Sequence, residues 1–102
     1  MIYLKIHETQ NGKIIAMCDE SLIDKVLRDG ELILDIKSYA DFYRGSLITV
    51  QQFADVSTSK MSSANIVGRE AIDAAIKKKV IDEGHVKMIN GVPYAQAFKV
   101  DF

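Results

Sequence analysis

The sequence predicts an α+β fold, a mostly antiparallel sheet built from two hairpins plus a central strand, with helices packed on one face. Three observations lead there. Asn-Gly steps at 11–12 and 90–91 each lie between strand-like runs, the signature of a tight hairpin turn. Apolar residues recur at helical spacing in the stretches between the two hairpins. Strand pairs at the ends with helices grouped between them make a sheet layer and a helical layer.

The elements follow in chain order. Residues 2–6 and 13–18 are rich in Ile, Leu, Tyr and Ala and flank Asn11-Gly12, so they form the first hairpin. Asp19 is placed to cap a helix carrying Leu22, Ile23, Val26 and Leu27 on one stripe, ended by Gly30. "ELILDI", residues 31–36, alternates as the third strand. The stretch 37–48 suits a bent strand or a packed loop equally. Thr49 and Gln52 have the form of a capping box, opening a short helix with Val50, Phe53 and Ala54. Ser62 or Ser63 then starts a longer helix whose small or apolar residues at 64, 67, 68, 71, 72, 75, 76 and 80 share a stripe. Gly68 on that stripe marks a close backbone approach or a break. After Asp82-Glu83-Gly84, "HVKMI" and "VPYAQAFKV" form the second hairpin around Asn90-Gly91. Pro93 lacks an N–H, which confines it to an edge or a strand end.

The 102 residues make one domain, 1–102, large enough to bury a core without staples. Hydrophobic content of 48% and charged content of 26% exclude a disordered chain. A net charge of −1 supplies no global field toward phosphate backbones, so nucleic acid would need a local patch. Charge is uneven, with seven acidic against three basic residues over 19–41 and a net of +2 over 42–102. Cys18 stands alone, which rules out an internal disulfide and suits a reducing compartment. No signal-peptide pattern and no apolar run of about 18 residues is present, so a cytoplasmic protein without membrane contact is expected.

If Asn11-Gly12 is a two-residue turn, Lys5 faces Cys18 and His7 faces Ala16. Period two puts Ile2, Leu4, Ile6, Ile15 and Met17 on one face and Tyr3, Lys5, His7, Ala16 and Cys18 on the other. Cβ atoms of Lys5 and Cys18 would then be roughly 4.5 to 5.5 Å apart, and an ammonium there favours thiolate. Lys5, His7 and Cys18 are the candidate catalytic residues on that ground. The competing reading is an ordinary sheet face covered by another element, since free cysteine is among the most buried residue types. A His and a Cys supply only two of the four usual zinc ligands, so no metal and no cofactor is assigned.

Candidate binding residues lie elsewhere. Lys77, Lys78 and Lys79 fall on the last turn of a helix, where the macrodipole favours cations, and with Lys87 and Lys99 nearby they could also face RNA or a ribonucleoprotein. Phe42, Tyr43 and Arg44 offer an aromatic platform beside a guanidinium, although aromatics in a domain of this size are more often core. Tyr94 and Gln96 share one face of the last strand and could bond a ligand or a buried backbone group. No phosphate-cradling glycine loop, local Ser-His-Asp order, RRM or KH signature is present.

"LKIHE", "AMCDE", "FYRG", "SANIVG" and "GVPYAQ", in this order over nearly the whole chain, resemble the archaeal domain of unknown function 424 family. The resemblance implies a small cytoplasmic archaeal protein of one domain and supplies no mechanism. Its marked positions correspond to Lys5, His7, Glu8, Cys18, Asp19, Phe42, Tyr43, Gly45, Asn65, Gly68, Gly91, Pro93 and Gln96. The leading expectation is a non-enzymatic binding module of information processing that contacts RNA or a ribonucleoprotein. The alternative is a small-molecule or metal-assisted enzyme using the Lys5, His7 and Cys18 face. A homo-oligomer formed through an exposed sheet edge is a third expectation.

Overall fold

The computed structural model describes residues 1–98; Lys99 and Val100, expected at the end of the last strand, lie outside the described residues. Strands β1 (Ile2–Thr9), β2 (Gly12–Asp19), β5 (Ser46–Ile48), β6 (Met61–Val67), β7 (Val86–Ile89) and β8 (Val92–Phe98) form one sheet in the order β5-β1-β2-β6-β8-β7. All pairings are antiparallel except β2 with β6. Strands β3 (Val26–Asp29) and β4 (Leu32–Asp35) make a separate antiparallel pair. Helices α2 (Val50–Phe53) and α3 (Arg69–Lys77) cover one face of the large sheet. The short α1 (Ala40–Tyr43) and the β3–β4 pair lie over the other. The fold is α+β, with a mixed, mostly antiparallel sheet and helices packed against it.

Period two sorts β1 and β2 as their sequence requires. Ile2, Leu4, Ile15 and Met17 join Phe53, Ala64, Ile66, Ala71 and Ala75 in the first core. Ala16 and Cys18 point the other way, into a second core with Leu27, Ile36, Tyr43, Val67 and Ile89. Residues 15–19 are therefore buried without a break, as expected of a strand flanked on both edges and covered on both faces.

The first turn departs from the expected one. Ile2 pairs with Asp19 and Thr9 with Gly12, so Gln10 and Asn11 occupy the loop and the pairing slides by two residues. Asn11 does not adopt a positive φ, whereas Gly12 does, at +122°. A side chain on Gly12 would meet the Lys60 carbonyl, which accepts from Lys13 N at 2.8 Å. The contact with the start of β6 thus sets the turn. A slide of two keeps every side chain on its face but changes the neighbours: Tyr3, not Lys5, stands opposite Cys18. At Asn90-Gly91 both residues have positive φ, +47° and +77°, the type I′ turn the sequence predicts.

One expected helix, and the first part of another, are strands. After Asp19 only a single 3-10 turn forms, Glu20–Leu22, and Asp24 at φ +70° redirects the chain into β3. Leu27 pairs with Leu34 across the Gly30 turn, so its apolar stripe serves a hairpin. The strand expected at 31–36 is present as β4 but belongs to this small sheet, not to the centre of the large one. The central place goes to Met61–Val67, where a helix is expected from Ser62 or Ser63. Ala64 and Ile66 face the first core while Asn65 and Val67 face the other way, an alternation hidden by the short side chains around it. The helix starts at Arg69, and Ala71, Ile72 and Ala75 form its buried stripe.

Asp19 does cap a helix, but α3, fifty residues on. Its carboxylate accepts from Ala71 N at 2.8 Å and Glu70 N at 3.2 Å. A Cβ on Gly68 would fall on that carboxylate, and φ +108° at this position is one a side chain rarely tolerates. Gly68 N also donates to Pro93 O at 2.8 Å, tying the first turn of α3 to β8. The Thr49–Gln52 capping box is present at the start of α2, with both reciprocal bonds made.

Candidate functional site

The second face of the large sheet gathers most of the candidate residues. Following the register from strand to strand, Tyr3, Cys18, Val67, Tyr94 and Lys87 form one cross-strand row. Lys5, Ala16, Asn65 and Gln96 form the next, and His7, Ile14, Ser63 and Phe98 the third. Burial falls along these rows. Cys18 and Val67 lie under the second core, Asn65 and Ile14 are half-buried, and Gln96 and Phe98 are exposed, Phe98 to 70%.

Helix α1 roofs the β1 side of this face. Lys5 Nζ donates to Asp41 O at 2.7 Å, and His7 Nε2 lies 2.9 Å from Phe42 O. The His7 and Phe42 rings stack at 4.6 Å with 11° between their planes. Phe42 thus extends the sheet surface as a half-buried aromatic wall beside His7. Tyr43 has turned inward, and burial with the neighbouring Cys18 thiol pushes its phenol up to about 12. Arg44 is held by Asp24 at 2.6 Å. Of the expected Phe42-Tyr43-Arg44 platform, Phe42 is half-buried against His7, Tyr43 is inside, and Arg44 is exposed but paired with Asp24.

Cys18 is fully buried, and its Sγ donates to Asp19 O at 3.4 Å. Burial, helped by the Asp19 carboxylate, pushes its thiol up to about 12. A thiol so placed is protonated and out of reach, the opposite of an activated nucleophile. Lys5 lies diagonal to it and His7 a further pair away, so the expected triad does not converge. Among the described residues no group of three or more His, Cys, Asp and Glu side chains is placed to hold a metal ion.

The lysines at the end of α3 stand on the other side of the molecule, because α3 packs on the first core. Lys78 donates to Ala54 O at 2.7 Å and lies over the Phe53 ring, fastening α3 to α2. Lys77 borders a cleft of about 210 Å³ between those helices, and Lys79 borders another of about 310 Å³ with Thr58, His85, Ala97 and Phe98, so Lys79 lies near the end of β8. Lys87 belongs with the second face, paired with Tyr94 on the edge strand. Sequence reasoning did not select Phe98 as a site residue, and it reached Asn65 only through the family resemblance. Both alternate with buried alanines or aliphatics, a signal readable for Phe98 on the expected last strand but for Asn65 only once 61–67 is known to be a strand.

The fold and this face define a small α+β protein with a two-faced sheet, one face closed and the other closed only at one end. The chain matches the model of the family described as "Protein of unknown function (DUF424)" over residues 6–100 and belongs to that family. Its fold is similar to the crystal structure of an uncharacterized conserved protein from Methanopyrus kandleri, with a TM-score of 0.76 and 21% identity over 99% of this chain and 96% of that one. No curated protein matches it. No helix among the described residues is long and apolar enough to cross a membrane.

Proposed function

We propose that the chain is a non-enzymatic binding module whose open sheet face takes single-stranded RNA. One observation carries this reading: three adjacent cross-strand rows bring Lys5, Asn65, Gln96, Phe98, Lys87 and the His7–Phe42 stack onto the same face. The five strands β1-β2-β6-β8-β7 span about 19 Å, wide enough to seat two or three splayed bases. Exposed Phe98 offers a stacking surface, the Asn65 and Gln96 amides offer paired donors and acceptors for base edges, and Lys5 and Lys87 meet phosphates. Neither amide is drawn into the bonds that hold α1 down. The enzyme alternative has less support, because its thiol is sealed beneath the second core.

The test is fluorescence anisotropy with a labelled single-stranded RNA oligomer over a salt series. Phe98→Ala is expected to weaken binding about tenfold or more, the usual worth of a base–aromatic stack. Lys87→Glu is expected to weaken it and flatten the salt dependence. A Lys77→Glu variant, changed at the cleft between α2 and α3, is expected to bind like the wild type. Loss of binding in that variant with Phe98→Ala unchanged would move the site to the end of α3.

A further inference from the structure

The β3–β4 pair has an inner and an outer side. Leu27 and Leu34 face each other and point into the second core. Val26, Arg28, Ile33 and Asp35 therefore make the outer side, with Val26 opposite Asp35 and Arg28 opposite Ile33. Register thus sets the four at the corners of a rectangle, apolar residues on one diagonal and opposite charges on the other. Val26 is 38% exposed and Ile33 51%, although both are aliphatic and β-branched. Ser38 fixes the Asp35 carboxylate through its N–H at 2.9 Å and its hydroxyl at 2.7 Å, leaving lone pairs for a further donor.

From this pattern we propose that the outer side of β3–β4 docks a second copy of the chain about a two-fold axis along the Val26–Ile33 diagonal. A two-fold interface must be self-complementary, and the rectangle allows four simple axes. An axis parallel to the strands sets Val26 on Asp35 and Arg28 on Ile33. One across the strands sets Val26 on Arg28 and Ile33 on Asp35. Both bury charges against aliphatic groups without a partner, which is costly. The Arg28–Asp35 diagonal stacks like charges on each other. Only the Val26–Ile33 diagonal sets each aliphatic residue on its own counterpart and each Arg28 on the Asp35 of the second copy, where a forked guanidinium bonds a carboxylate well. The strands of the two copies then cross at roughly 70–80°, toward the orthogonal way for sheets to stack. Four residues a side, against the roughly 20–30 of a standard interface, make association weak and reversible.

Sedimentation equilibrium from about 10 μM to about 1 mM, a range suited to a small interface, tests the proposal. The wild-type mass is expected to climb from 11.4 kDa toward twice that value. Arg28→Glu, which sets two carboxylates together, and Ile33→Lys are each expected to raise the dissociation constant roughly tenfold or more while circular dichroism stays that of the wild type. An equimolar mixture of Arg28→Glu with Asp35→Lys is expected to associate where neither does alone. A wild-type chain that stays monomeric throughout overturns the proposal, and so does association that neither Arg28→Glu nor Ile33→Lys weakens.

Discussion

The two faces of the large sheet carry residues of similar types to different ends. On the first face α2 and α3 close over Ile2, Leu4, Ile15, Met17, Ala64 and Ile66, and Phe53 is wholly buried among them. On the second, cover stops partway: Cys18, Tyr43 and Val67 are inside, while Gln96 and Phe98 on the neighbouring strand are outside. The difference teaches that a residue's chemistry here depends on its distance from the edge of the cover. Two phenylalanines, Phe53 and Phe98, make the contrast measurable.

Truncating them should give the largest difference. Phe53→Ala is expected to cost about 3–5 kcal/mol in chemical denaturation, as for a filled core site. Phe98→Ala is expected to stay within about 0.5 kcal/mol of the wild type, as for an exposed site. A comparable loss at both would mean that the second face is closed at that end as well.

A smaller loss is expected at the seam joining the faces. Gly68→Ala forces a methyl group onto the Asp19 carboxylate at a left-handed φ, and about 2 kcal/mol should be lost. Thermal melts would show it, and a variant as stable as the wild type would mean that the α3 cap yields freely.

Smallest is the effect of acid. Burial raises the Asp19 carboxyl above its usual range, although bonds from Ala71 N and Glu70 N and the amino-terminal charge pull it down. A raised carboxyl holds its proton more tightly in the folded state, so its contribution is full below the unfolded value and is lost as pH rises through the folded one. Asp19→Asn keeps a capping side chain without that ionisation. The stability of the wild type relative to Asp19→Asn is therefore expected to fall as pH is raised from the acid range toward neutral. A pH-independent difference between the two would show that the cap bonds fully offset burial.

How much of this was legible depends on the reach of the interaction concerned. The face assignment in β1 and β2 needs only alternation, and it survives even though the turn moved, because a slide of two preserves parity. The capping box at Thr49 and Gln52 and the turn at Asn90-Gly91 close within four residues, and both are present. The segment between Asp19 and Gly30 and the residues from Ser62 or Ser63 to 67 fit a helical period because short segments with mixed apolar spacing fit either period. What decides them is pairing: β3 with β4, and β6 between β2 and β8. The candidate site shares that limit. Lys5, His7 and Gln96 were visible as polar residues on strands, but the rows that join them run through Asn65 and Ser63 on β6.

By itself the sequence determined the α+β class, the split of the first hairpin into two faces, the tight second turn and the cap of α2, all consequences of backbone sterics and side-chain alternation over a few residues. The tertiary structure alone decided that Asp19 caps α3, that Cys18 is sealed and that Asn65, Gln96 and Phe98 share one open surface. Those outcomes depend on which strands lie side by side and what covers them, and burial and proximity between distant segments exist only once the chain has folded.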